Sequence, residues 1–132
     1  MPDEKTFPTT PDQFAIFQEE AALWLDRFGL KEWQVFILHE NLEDVGILAQ
    51  CHWKTPSRQA KLILNTKVDV APSDNKVRVA AFHEVCELLL SQTTEVLEEI
   101  RPWTWYNAEI HRIIRTLENA VWWPDWKARG GK

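Results

Sequence analysis

The segment from Val77 to Leu90 restricts the fold more than any other part of the chain. Only Arg78, His83, Glu84 and Glu87 interrupt its apolar residues. Pro72-Ser73-Asp74 precedes it, and Ser73 or Asp74 can cap a helix running to about Leu90. Wound as a helix, the segment is apolar around nearly its whole circumference, so it belongs at the centre of the molecule. His83, Glu84 and Glu87 then become ionisable groups on a buried helix, and buried carboxylates need partners.

The rest of the chain has to surround that helix. Its 132 residues suffice for one domain with a real core, and 45% hydrophobic against 27% charged residues is an ordinary globular balance. We read 1–132 as a single domain, with 1–9 a flexible lead-in and 127–132 a frayed tail. Thr10-Pro11-Asp12-Gln13 is a helix start with a capping box, and Phe14, Phe17, Ala21, Trp24 and Phe28 follow at helical spacing up to Gly29. "WQVFILHE", "VGILAQCHW" and "AKLILNT" read as three strands. The short connections "NLED" and "KTPSR" predict an antiparallel meander. "TTEVLEEIRP" is a connection with some helical turn. A last helix spans Thr104 to about Trp122, with Ile110, Ile113, Ile114, Leu117 and Val121 on one face and Pro124 ending it. The expected class is α+β.

Several functions are disfavoured by composition. A net charge of −5 with scattered Lys and Arg leaves no basic stripe for nucleic acid. No apolar run approaches the roughly 18 residues of a membrane span. Met1 to Pro11 is polar and proline-rich, unlike a signal peptide. Two cysteines, Cys51 and Cys86, are too few for a disulfide framework, so a reducing cytoplasm is the expected compartment. Eight Trp is unusual, and five of them fall after residue 100, where they either pack the core or line a groove.

The chemistry lies in His83-Glu84-x-x-Glu87. Side chains four apart on a helix share a face, so His83 and Glu87 can grip one ion. Glu84 is turned by about 100° from His83. In the zinc-hydrolase pattern H-E-x-x-H the outer pair holds the metal and the inner Glu activates its water. Carboxylate oxygen is an ordinary zinc ligand, so Glu87 in the last position keeps the chemistry possible. One more ligand must come from elsewhere. On the last helix His111 and Glu118 fall on the same edge of the apolar stripe, and Glu109 on the opposite edge. Two ligand sets follow: His83, Glu87 and Glu118 with His111 assisting, or His83, Glu87 and His111. Without a metal, Arg115 or Arg112 would neutralise Glu87 as an ion pair. Cys51 and His52 alternate to opposite faces of a strand and form no joint site; His39 is expected to face water, and Cys86 to fill the core.

The stretches "AAFHEVCELLL" and "HRIIRTLENAVWWP" resemble small phage and prophage proteins of the zinc metallopeptidase-like class, and are loosely similar to the ImmA/IrrE-type metallopeptidases. The resemblance covers roughly Trp33 to Pro124 in element order. It implies a minimal zincin-like fold: an N-terminal helix, a three-stranded antiparallel sheet, a central active-site helix and a C-terminal helix. It also implies zinc as cofactor, a peptide or protein substrate, His83 as ligand and Glu84 as general base. Glu118, in "LENAV", stands nearest the later metal-binding Glu of the ImmA/IrrE type, which puts it first as third ligand. Glu87 departs from the family's second His. That departure marks the alternative, a catalytically inactive zincin scaffold that serves binding or assembly in a phage, with an ion pair in place of the metal.

Overall fold

The computed structural model describes residues 5–132. Helix α2, Asp74–Leu89, is the element that the others surround. Ser73 caps it, its hydroxyl accepting from the Lys76 amide at 3.1 Å. Val77, Ala81, Phe82, Val85 and Cys86 on it are fully buried. Its neighbours are α1 (Pro11–Arg27), strands β3 (Ala49–Lys54) and β4 (Gln59–Asn65), and helices α3 (Ser91–Ile100) and α4 (Trp103–Leu117). The chain is α+β.

Helix α1 starts as its sequence predicts. Thr10 and Gln13 exchange both capping-box hydrogen bonds, and Pro11 sits in the first turn. It ends in a Schellman-type turn: Leu30 N–H donates to Leu25 O at 3.0 Å while Gly29 takes φ +67°, a conformation that costs glycine little. Phe17, Ala21 and Trp24 form its buried face, with Trp24 edge-on to Phe82 of α2 at 4.8 Å.

The sheet corrects the expected antiparallel meander. Strand β2 (Gln34–Glu40) pairs parallel with β4, and β3 pairs antiparallel with it, so the order is β2-β4-β3 and the sheet is mixed. The loop from Asn41 to Leu48 passes over the end of β4 rather than turning back as a hairpin. Asn65, fully buried at that end, holds it there. Its side-chain oxygen accepts from the Leu42 amide at 3.1 Å, and its amide donates to Asp44 O at 3.0 Å and Ile47 O at 2.8 Å. The clasp spaces β2 and β3 one strand apart, and β4 fills the gap. Short connections favour hairpins only where nothing stabilises the wider crossing.

Residues 7–9 and the C-terminal tail are more tied down than the sequence suggests. Residues 1–4 of the expected lead-in lie outside the described residues. The remainder is held: β1 (Phe7–Pro8) pairs antiparallel with β5 (Lys67–Val68), and the Thr9 hydroxyl donates to Asn65 O at 2.6 Å. His39, expected to face water, contacts the same Thr9 hydroxyl at 2.7 Å and stacks on Phe14 at 4.9 Å. At the other end Pro124 does not stop the helix. A π-helical turn, Glu118–Trp122, follows α4, and the Trp123 amide donates to Glu118 O, five residues back. That wider turn makes room for a proline ring and spares the hydrogen bond that proline lacks, so the chain continues as α5 (Trp123–Ala128). Nor is the tail frayed. Arg129 donates to both oxygens of Glu20, at 3.1 and 2.7 Å, and the Trp24 and Trp122 indoles donate to the same carboxylate. The connection before Pro102 is a full helix, α3. No described helix is long and apolar enough to cross a membrane.

The Asn65 clasp has a measurable cost of removal. Asn65→Ala leaves the Leu42 amide and two carbonyls without partners at a buried site. We expect a loss of roughly 2–4 kcal/mol in urea unfolding, from a typical penalty of about 1–3 kcal/mol per orphaned group with partial rehydration of the loop.

Candidate metal centre

Helical spacing puts His83 and Glu87 one turn apart on α2, and the structure turns both toward α4. His83 Nε2 lies 3.5 Å from Glu87 Oε1, and His111 Nε2 lies 3.4 Å from that same oxygen. One ligand atom from each of the three residues falls within 4.8 Å of the other two. Glu118 also reaches the cluster, but at its back: its Oε2 is 3.6 Å from His83 Nδ1. All four metal-ligand residues expected from the sequence therefore meet, in two tiers. His83, Glu87 and His111 face one another, and Glu118 stands behind His83.

Each imidazole has an oxygen on its far side. His111 Nδ1 is 2.8 Å from the carbonyl oxygen of Asn107, one turn earlier on α4. A carbonyl only accepts, so Nδ1 carries the proton in that bond and the lone pair of neutral His111 sits on Nε2. The sequence holds no sign of this contact, because the backbone of any residue at position 107 offers the same oxygen. Glu118 lies on the corresponding side of His83, at the looser 3.6 Å of a charge contact.

The spacing around Glu87 Oε1 is too long for good hydrogen bonds, which fall below about 3.2 Å. It matches another geometry. Ligand atoms at 2.0–2.1 Å from a tetrahedral zinc are roughly 3.3 Å from each other, close to the two separations seen here. A carboxylate oxygen between two imidazole nitrogens also needs positive charge, since lone pairs facing it repel. Protons on the rings or one divalent cation meet that need. The residues therefore fit zinc in both donor type and spacing.

Glu84 is 5% exposed and borders a cavity of about 340 Å³ that also takes in His83, Glu118, Lys76 and the start of β3 at Ala49. Burial, and then the charge of Glu87, push its carboxyl well above the usual carboxylate range against the pull of His83. His83 moves the other way. Burial alone would lower its pKa, but Glu118 and Glu87 outweigh burial and raise it to about 10. Burial and the surrounding carboxylates push the Cys51 and Cys86 thiols far up, so neither is a thiolate ligand or nucleophile. Both cysteines are free.

The arginines that the sequence offered as counter-charges are engaged elsewhere. Arg112 pairs with Glu109 on the outside of α4, and the exposed Arg115 points its Nε at the His111 carbonyl, 3.4 Å away. Among the described residues no Arg or Lys forms an ion pair with Glu87. His52 points out of the sheet to Gln50. No family model matches the chain, and no curated protein or solved structure matches it either.

The raised His83 pKa has a sign that can be tested. A folded pKa above the ordinary 6.5 contributes stability that is complete below about pH 6.5 and is lost as pH rises through about 10. Metal-free protein should therefore lose stability across that interval, at up to about 1.4 kcal/mol per pH unit for the one proton. In His83→Gln the slope should flatten. Urea unfolding at stepped pH in the presence of a chelator measures both.

Proposed function

We propose that the chain is a zincin-like, zinc-dependent metallopeptidase of the phage type that its two helical motifs resemble. His83, Glu87 and His111 hold the ion, Glu118 orients His83, and Glu84 serves as general base. The observation that carries this reading is the pair of 3.4–3.5 Å separations converging on Glu87 Oε1. His111 rather than Glu118 is the third ligand here, because Glu118 approaches the opposite ring nitrogen of His83. A carboxylate behind a ligating imidazole is a recurrent way to fix its orientation and raise its basicity. Free, buried cysteines suit a reducing compartment such as the cytoplasm.

Bound there, zinc supplies a Lewis acid for a peptide carbonyl and lowers the pKa of a water molecule. The rest falls to the protein. Glu84 sits on the cavity beside His83, where a carboxylate with a raised pKa is a stronger base than an ordinary one and can take a proton and pass it on. Substrate can lie along β3, an edge strand whose one hydrogen-bonded neighbour is β4. The Asn65 amide donates to Leu48 O, so by antiparallel alternation the backbone groups of Ala49, Cys51 and Trp53 turn away from β4. Ala49 borders the same cavity as His83 and Glu84. An extended peptide added to this edge would run past the ligand cluster.

A second reading has its own support. A protonated His83 between Glu87 and Glu118 is already a compact ion-pair cluster, and an inactive zincin scaffold used for binding or assembly would retain it.

Zinc loading, desalting and metal analysis separate the two. The hydrolase reading expects one zinc per chain, lost in His83→Ala and in His111→Ala. Glu84→Gln should keep the zinc and lower peptide hydrolysis by roughly 10²–10⁴-fold, the usual contribution of a general base. A wild-type protein that retains no zinc leaves only the inactive scaffold.

A further inference from the structure

A second cavity, of about 230 Å³, shares Glu87 and His111 with the ligand cluster but not His83 or Glu84. Its walls include Trp53 from β3, and Trp103 and Tyr106 from α4, while α3 contributes Glu98. No Lys or Arg lines it. Glu98 lies close enough to Tyr106 that its charge, behind burial, pushes the phenol pKa up. The Trp53 indole is held in place, its Nε1–H donating to Glu95 at 2.9 Å.

The use that this chain makes of its other tryptophans gives these walls a meaning. Arg27 lies over Trp24, Arg58 over Trp33 and Arg101 over Trp105, at 4.8, 5.4 and 5.7 Å. Arg78 and Arg129 both lie over Trp126. Trp122 and Trp123 pack on each other. Among the described residues, Trp53 and Trp103 are the two that have neither a cation nor a second aromatic ring against them. Both line this one cavity, with a carboxylate beside them. Trp103 is 62% exposed, so an incoming group can reach it. Arg101, the basic residue nearest in sequence, is turned onto Trp105.

We propose that this cavity receives a lysine or arginine side chain of the substrate, next to the bond presented at the ligand cluster. The aliphatic stem packs on Trp103 and Tyr106, the cation lies against the indole faces, and Glu98 supplies the opposite charge. Calling the occupant a substrate side chain rests on the metallopeptidase reading. The preference of the cavity for a basic group stands on its own walls.

Binding separates the two claims. Blocked alanine-based octapeptides carrying arginine, norleucine or glutamate at one central position are titrated calorimetrically into the full chain, with and without zinc. The arginine peptide should bind about ten-fold more tightly than the norleucine peptide, and the glutamate peptide should bind more weakly than both. Glu98→Gln should remove most of the arginine preference without changing zinc content, and Trp103→Ala, an exposed site, should weaken arginine binding several-fold. Equal binding of arginine and norleucine, no binding of any peptide, or a preference that survives Glu98→Gln overturns the proposal. An arginine preference that depends on Glu98 in a protein retaining no zinc upholds the cavity and removes the metallopeptidase reading.

Discussion

Everything in this fold follows from the burial of α2. A helix that is apolar on nearly every side gains about 25 cal/mol for each Å² of apolar surface removed from water, and only full enclosure collects that gain. Helix α1, the sheet and α4 each cover a part of it. Enclosure would be ruinous for His83, Glu84 and Glu87 if each were left alone, because an isolated buried charge loses its hydration with nothing in return. They are instead placed where α4 and the π-helical turn bring His111 and Glu118 to meet them. The arrangement that completes the core thus also assembles the polar cluster.

Within that cluster the central fact is one oxygen facing two imidazole nitrogens. Glu87 Oε1 lies 3.5 Å from His83 and 3.4 Å from His111, too far for strong hydrogen bonds and close to the edge length of a tetrahedral zinc site. Each ring meets an oxygen through its other nitrogen: His111 is anchored by a hydrogen bond to a backbone carbonyl, and His83 has the Glu118 carboxylate 3.6 Å away. Anchoring of this kind costs rotamer freedom in advance and leaves the paired nitrogens aimed at a shared point. Two cavities open from the cluster. The one beside Glu84 is bounded by the edge strand, and the one beside His111 by unpaired tryptophans and a carboxylate.

Much of the fold could be read from local signals, and the departures have identifiable causes. The capping box at Thr10, the Gly29 stop and the Ser73 cap are local chemistry, and all appear where expected. The strand segments were legible too, from their branched and aromatic residues. Strand order was not, because it depends on three hydrogen bonds from Asn65, a residue that in sequence looks like any polar strand terminus. Pro124 misled for a similar reason: a proline ends a regular α-helix, and only the π-helical turn before it lets the chain continue. The lead-in and the tail looked unstructured because their partners, Val68 and Glu20, are far away along the chain.

By itself the sequence determined the α+β class, the central helix and the shared face of His83 and Glu87, because helical periodicity and capping act over a few residues. It also narrowed the residues that could join them to His111 and Glu118, which share an edge of one helix. Which nitrogen each carboxylate would approach was decided only in three dimensions. The crossing of α4 over α2 sets Glu87 between the two Nε2 atoms, and the π-helical turn carries Glu118 at the Nδ1 side of His83. Helix packing fixes such side-chain placement to within an ångström or so, and sequence spacing alone places a residue on a face but not against a particular atom.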